Sequence, residues 1–120
     1  MSRPEQDLRL DYVEFAAPDL QRVKTFYNKV FGWTFQDYGP DYTAFNDGRM
    51  DGGFARGEAV SAGKPLVIMY AIDLEAVGAD IMAYGGTIVK DTFSFPGGRR
   101  FHFADPCGNV LAVWTDQEAA

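Results

Sequence analysis

Apolar and polar positions alternate near the start of the chain. From 8 to 17, Leu8, Leu10, Tyr12, Glu14 and Ala16 fall on one side and Arg9, Asp11, Val13, Phe15 and Ala17 on the other, the two-residue period of a strand. The period then lengthens. Pro18-Asp19 starts a helix with Asp19 as its N-cap, Leu20, Val23, Phe26, Tyr27, Val30 and Phe31 recur at helical spacing, and Gly32 ends it. Strand-like runs return over 33–38 and 42–46, separated by Gly39-Pro40, and an Asp47-Gly48 turn leads into a fourth over 49–56. The order is βαβββ.

The apolar pattern lapses from Gly57 to Lys64, where Gly, Ala, Ser and Glu make a linker. A nearly continuous apolar run over 65–72 then predicts a strand, Asp73 caps a second helix carrying Leu74, Val77, Ile81 and Tyr84, and Gly85-Gly86 ends it. Residues 87–93 read as a strand and Phe95-Pro96-Gly97-Gly98 as a loop. The last stretch, 99–114, reads as a hairpin: Phe101 and Phe103 alternate with His102 and Ala104, Asp105-Pro106-Cys107-Gly108-Asn109 supplies the turn, and an apolar strand follows. This half is βαβββ as well. The two halves share a register, since Asp19, Leu20, Val23, Tyr27, Val30 and Gly32 precede Asp73, Leu74, Val77, Ile81, Tyr84 and Gly86 by 54 residues each. The expectation is one domain over 1–120, with modules at about 8–56 and 65–115, a linker over 57–64 and a polar arm over 1–7.

A phenylalanine-rich strand, Asp-Pro-x-Gly-Asn and an apolar final strand, in a chain of two βαβββ units, resemble the vicinal oxygen chelate superfamily of glyoxalase I, extradiol dioxygenases, fosfomycin-modifying enzymes and bleomycin-binding proteins. Ala17-Pro18-Asp19-Leu20, Phe26-Tyr27 and Phe31-Gly32-Trp33 resemble its glyoxalase-like branch. The resemblance spans roughly 8–115. It implies an α+β fold of two tandem modules whose curved mixed sheets surround a cleft, with the helices on the outer face. It also implies a homodimer, sometimes with modules exchanged between chains.

Composition narrows the function. At 47% hydrophobic and 15% aromatic the chain is globular, and its net charge of −6 disfavours a nucleic-acid partner, for which Arg99-Arg100 is too small a basic patch. No run is long enough for a membrane span and the first residues hold no apolar signal core, so the expectation is a cytoplasmic protein with no membrane partner. Cys107 is the one cysteine, which leaves no intrachain disulfide and no cysteine-based zinc site; it is either a reactive thiol or a plain turn residue.

Metal-dependent members of the resembled family place four ligands, usually His or Glu, on the first and last strands of each module. Carried over by spacing, those positions fall on Tyr12, on Gly53 or Phe54, on Leu66 or Val67, and on Ala112. None is His, Asp or Glu, so the expectation is no metal and no cofactor. Tyr12 and Glu14 share one face of the first strand. Apolar surroundings would raise the Glu14 pKa and make it a general acid or base, whereas an arginine or backbone amides would make it a strand-ordering group. His102, the only histidine, is a proton carrier if it faces the cleft and a structural residue if it does not. Arg56, Arg99 and Arg100 are candidate anion binders or ordinary strand-end arginines, and Phe54, Met69 and Trp114 line either the cleft or the core. Gly48, Gly52 and Gly53 form no phosphate loop, and no nucleophile triad spacing occurs.

The leading expectation is a metal-free small-molecule-binding protein of the glyoxalase/bleomycin-resistance type, holding an organic ligand in an aromatic cleft with Tyr12, Glu14, Phe54, Met69, His102 and Trp114. The alternative is a metal-independent isomerase or lyase using Glu14, Tyr12 or His102 for proton transfer on a carbonyl compound. A third reading is a dimeric interaction module with a vestigial cleft.

Overall fold

Asp19 and Asp73 turn the chain from strand to helix in the same way. Both have extended backbone (φ −127° and −113°), and each side chain accepts a hydrogen bond from the amide three residues on, Arg22 N at 3.1 Å and Ala76 N at 3.0 Å. The repeat read from the sequence is thus a repeat of local geometry. In the computed structural model, which describes residues 4–8, 10, 12–58 and 65–119, the first module contains β1 (Tyr12–Ala17), α1 (Leu20–Phe31), β2 (Thr34–Asp37), β3 (Tyr42–Asn46) and β4 (Asp51–Arg56). The second contains β5 (Ile68–Tyr70), α2 (Leu74–Ala83), β6 (Thr87–Phe95), β7 (Gly98–Ala104) and β8 (Val110–Thr115).

Each module folds its four strands into one mixed sheet, ordered β1-β4-β3-β2 and β5-β8-β7-β6. First and last strands of a module pair in parallel, β1 with β4 and β5 with β8; the other pairs are antiparallel. The parallel pair is possible because the helix supplies the crossover. Among the described residues, two α-helices and eight strands in two such sheets make the tandem α+β architecture expected of the chain.

Several boundaries differ from the sequence reading. Among the described residues the first strand is Tyr12–Ala17 rather than one starting near residue 8, and its sheet neighbour β4 begins at Asp51, opposite Tyr12. Leu8 and Leu10 are exposed and Leu8 has φ 60°, while 9 and 11 lie outside the described residues. β5 is shorter than its apolar run, Ile68–Tyr70 against 65–72. The loop read at 95–98 is a tight turn: Phe95 and Gly98 pair across it, and Gly97 takes φ 105°. Most of the expected linker, 59–64, lies outside the described residues.

The helices cover the face of each sheet that lies opposite its open side. Phe54, on the covered face of the first sheet, packs 5.3 Å from the Tyr27 ring of α1. On the same helix, Phe26 and Phe31 lie 6.1 and 6.0 Å from Phe103 of β7, which is buried on the face of the second sheet that α2 also covers through Gly78 and Phe101. α1 is therefore packed between the two sheets, and their uncovered faces point apart. The reason is aromatic: Phe26, Tyr27, Phe31 and Trp33 give α1 and its C-terminal exit two large apolar sides, more than one sheet can bury.

A buried carboxylate ties the modules together. Asp105, 4% exposed, accepts from Tyr27 Oη at 2.9 Å, Cys107 N at 2.9 Å, Asn109 N at 3.0 Å and Asn109 Nδ2 at 3.2 Å, and Asn109 Nδ2 also reaches Ala16 O at 2.8 Å. Burial pushes the Asp105 pKa up, against the pull of these donors, and burial likewise holds the Tyr27 phenol well above its usual range. The native carboxyl thus retains its proton to higher pH than the unfolded one, and its contribution to stability falls as pH rises through that window. Asp105→Asn removes the titration but turns an NH₂ group toward amide and phenol donors. We expect it to lower stability at pH 7 by about 1–3 kcal/mol in urea unfolding, and an unchanged midpoint would show that the four-donor cradle contributes nothing.

Candidate functional site

Alternation along β1 sends Val13, Phe15 and Ala17 toward α1 and Tyr12, Glu14 and Ala16 onto the uncovered face of the first sheet. The β3 alternation buries Thr43 and Phe45 and turns Tyr42, Ala44 and Asn46 to that same face. Between these strands, β4 contributes Gly52 and Gly53. A methyl on Gly52 would overlap the Phe45 ring and the Val13 carbonyl on the covered side, and one on Gly53 would overlap the Tyr42 hydroxyl on the open side. Because Gly53 has no side chain, the phenols of the flanking strands meet above it.

Tyr12 Oη and Tyr42 Oη are 2.5 Å apart, and Tyr42 Oη donates to Glu14 Oε1 at 3.0 Å. Burial, then the bonds to Tyr12 and Glu14, raise the Tyr42 pKa well above that of a free phenol, so Tyr42 remains a neutral donor. Of the two roles weighed for Glu14, neither partner set occurs: its partner is a tyrosine, and the side chain is exposed. Tyr42 was not foreseen as a site residue. Its signal lay in the glycine opposite it, which is legible only once β3 and β4 are paired with Ala44 against Gly53. A groove of about 510 Å³ adjoins the cluster, lined by Tyr12, Tyr42, Gln36, Tyr38, Asn46 and Asp51 among others.

The second uncovered face is built by β5 to β8. Phe101 and Phe103 point to the helices, so His102 and Arg100 point away from them. The ladder sets His102 opposite Ala112 and Lys90, and Arg100 opposite Trp114 and Phe93. Trp114 packs 5.2 Å from Tyr70 and 6.4 Å from Phe95. Burial first, then the charges of Arg100 and Lys90, lower the His102 pKa, so the imidazole is neutral at neutral pH.

Two expected cleft residues lie elsewhere. Phe54 is fully buried between the first sheet and α1, and Met69, paired with Val113, packs against the core, because each stands on the covered phase of its strand. Tyr12, Glu14, His102 and Trp114 do reach uncovered faces, but α1 separates the first two from the last two within one chain. Arg56 is held by Asp41 at 3.0 Å and by the Pro18 and Pro40 carbonyls, and Arg99 by Glu75 at 2.7 Å and the Gln117 carbonyl. Both close loops. Cys107 lies half-buried against Asp19 O, and burial pushes its thiol pKa up, which disfavours the reactive thiolate.

The divalent ion that the resemblance implies has no matching ligand set here. The four strand positions carried over from the resemblance hold Tyr12, Gly53 or Phe54, Leu66 or Val67, and Ala112; the Tyr12 phenol is engaged by Tyr42, the Tyr42 hydroxyl fills the space over Gly53, and Phe54 and Val67 pack against the core. Among the described residues no three His, Cys, Asp or Glu side chains come together as a ligand set. These residues do not fit a chelated metal.

The His102 environment can be checked directly. As the only histidine it gives one imidazole titration by NMR, expected with a midpoint below that of a free imidazole. Lys90→Gln or Arg100→Gln removes a neighbouring cation and should raise the midpoint; no movement in either variant would contradict the described packing.

Comparison with known proteins agrees with this architecture. The profile of the Glyoxalase/Bleomycin resistance protein/Dioxygenase superfamily matches residues 9–113. Similar solved structures include a glyoxalase/bleomycin resistance protein/dioxygenase family enzyme from Burkholderia phytofirmans PsJN, with a TM-score of 0.78 at 19% identity over 90% of this chain and 100% of that one. The fosfomycin resistance protein FosX from Mesorhizobium loti gives 0.75 at 16% identity over 90% and 92%. A glyoxalase-related enzyme from Fulvimarina pelagi gives 0.74 at 18% identity over 90% and 88%. At these identities the likeness is one of fold. No protein of curated function matches the sequence.

Proposed function

Because the chain belongs to the Glyoxalase/Bleomycin resistance protein/Dioxygenase superfamily, we propose that it is a small-molecule-binding protein whose site is completed by a second copy of itself. The observation that carries this reading is the position of α1 between the sheets, which leaves each module with an uncovered face bearing half of a site. One half is the Tyr12–Tyr42–Glu14 cluster with its groove; the other is the Tyr70, Trp114 and His102 surface. A twofold homodimer that sets the first sheet of one chain against the second sheet of its partner encloses two equivalent aromatic clefts. The half-exposed Tyr12, Ile68 and Tyr70 are apolar area that such pairing would cover.

The ligand is organic and is held without a chelated metal, since the carried-over strand positions, Tyr12, Gly53 or Phe54, Leu66 or Val67, and Ala112, offer no His, Asp or Glu. No helix among the described residues is long and apolar enough to cross a membrane, so the ligand is met outside any helical membrane segment of this chain. A cytoplasmic setting belongs to the same reading.

One observation favours a second reading, proton transfer on a carbonyl compound as an isomerase or lyase. The Tyr12–Tyr42–Glu14 hydrogen bonds form a continuous path on which Glu14 can take a proton and the neutral Tyr42 phenol can polarise or protonate a substrate oxygen, with the neutral His102 as a further base. Binding and chemistry separate by mutation. Glu14→Gln should leave ligand affinity within a few-fold and abolish turnover if Glu14 is a base.

Native mass spectrometry of freshly purified protein tests the leading reading. The expected spectrum is a metal-free dimer that retains an organic mass or takes one up from a metabolite mixture. A stoichiometric divalent metal, or a strict monomer at micromolar concentration, would overturn it. Tyr42→Phe should weaken retention of that mass by about 5- to 100-fold, the range for one lost hydrogen bond in a desolvated site.

A further inference from the structure

Arg100 and Lys90 are brought together with no counter-charge. The Arg100 guanidinium lies over the Phe93 ring at 5.2 Å and the Phe95 ring at 5.7 Å, and the Lys90 ammonium lies over the same Phe93 ring at 4.6 Å. Among the described residues neither forms an ion pair. Lys24, Arg56 and Arg99 are paired with Asp37, Asp41 and Glu75, and the nearby Asp116 carboxylate accepts from Tyr70 and Gln117. Arg100 Nε and His102 Nε2 are both shielded from solvent and have no hydrogen-bond partner.

This arrangement is unfavourable as it stands. Two cationic side chains border one ring, the imidazole beside them is pushed to its neutral form, and two buried polar nitrogens are unsatisfied. Cation–π contacts offset part of the cost but leave the guanidinium edge free. A carboxylate placed beside the terminal amino groups of Arg100 and the Lys90 ammonium would neutralise the repulsion and accept charge-assisted hydrogen bonds. The rings of Phe93, Phe95, Trp114 and Tyr70 border the same surface and suit a flat apolar body.

We propose that the uncovered face of β6 to β8 is the anion half of the binding site, in which Arg100 and Lys90 hold the carboxylate of a small aromatic or similarly flat organic acid against Phe93, Phe95 and Trp114. It rests on the small-molecule-binding reading above and names the class of ligand. Arg100 supplies the planar fork and Lys90 the second charge; His102, neutral, is an additional polar contact.

The test is a titration of the full-length protein with sodium benzoate, followed by ¹H–¹⁵N spectra of the arginine Nε–H and tryptophan indole groups, with benzamide and sodium chloride at matched ionic strength as comparisons. Benzoate should shift the Arg100 Nε–H and Trp114 indole signals saturably, and benzamide and chloride should not. Arg100→Gln should weaken benzoate binding, read at Trp114, by about tenfold or more. Lys90→Gln should weaken it by less and Lys29→Gln, a charge removed from the far end of α1, not at all. Equal shifts with benzamide would overturn the anion assignment while leaving a small-molecule site in place, and equal shifts with chloride would reduce the face to a nonspecific ion patch. If benzoate has no effect and Arg100→Gln splits the dimer in sedimentation experiments, the cations serve the subunit contact and the proposal fails. Saturable benzoate binding by a protein that sediments as a monomer would uphold the anion site and remove the dimer reading.

Discussion

The structure depends on α1 being shared by both modules, and the Asp105 carboxylate is what fixes the sharing. A carboxylate this buried is costly unless every lone pair is used. Here two donors come from the β7–β8 turn itself, one from the Asn109 side chain and one from Tyr27 of the other module's helix. The turn is therefore complete only when α1 lies against it, and Asn109 extends the link to β1 through Ala16 O. With α1 pinned there, Phe26 and Phe31 reach Phe103, and the helix layer is enclosed on both sides.

Everything about the surface follows from that layer. Two sheets packed on a common set of helices must present their other faces outward, so the residues that a single-chain cleft would gather are divided between two sides of the molecule. The division is also chemical. One side carries phenols and a carboxylate, the other two cations, an imidazole and a run of aromatic rings. Three further cations are engaged elsewhere: Lys24, Arg56 and Arg99 close loops and brace helices in ion pairs of ordinary surface type.

Gly53 illustrates what a missing side chain in the middle of a sheet permits. With no side chain on β4 at that point, the neighbouring strands lean in and their tyrosines bond to each other and to Glu14. Such a cluster can orient an oxygen-bearing ligand or relay a proton but lacks the charge density to polarise a substrate as a divalent cation does. The fold is held in common with proteins only 16–19% identical, including a fosfomycin resistance protein, while the chemistry is set by these few side chains.

The sequence by itself determined the two modules, because what defines them is local. Asp19 and Asp73 cap their helices by a bond three residues long, and two-residue alternation assigns Tyr12 and Glu14 to one face and Val13 and Phe15 to the other wherever the sheet goes. Three things were decided by tertiary structure. The side of its strand that His102 takes depended on both neighbours of β7 and on α2, because apolar residues stand on both phases nearby. Phe54 and Met69 were claimed by the core through packing against α1 and β8, which composition cannot distinguish from a cleft wall. The meeting of Tyr42 with Glu14, and of Arg100 with Lys90, joins residues on different strands whose register is set by hydrogen-bond ladders and bulges. Such pairings link positions far apart in the chain, and no periodicity within a segment encodes which segment will lie beside it.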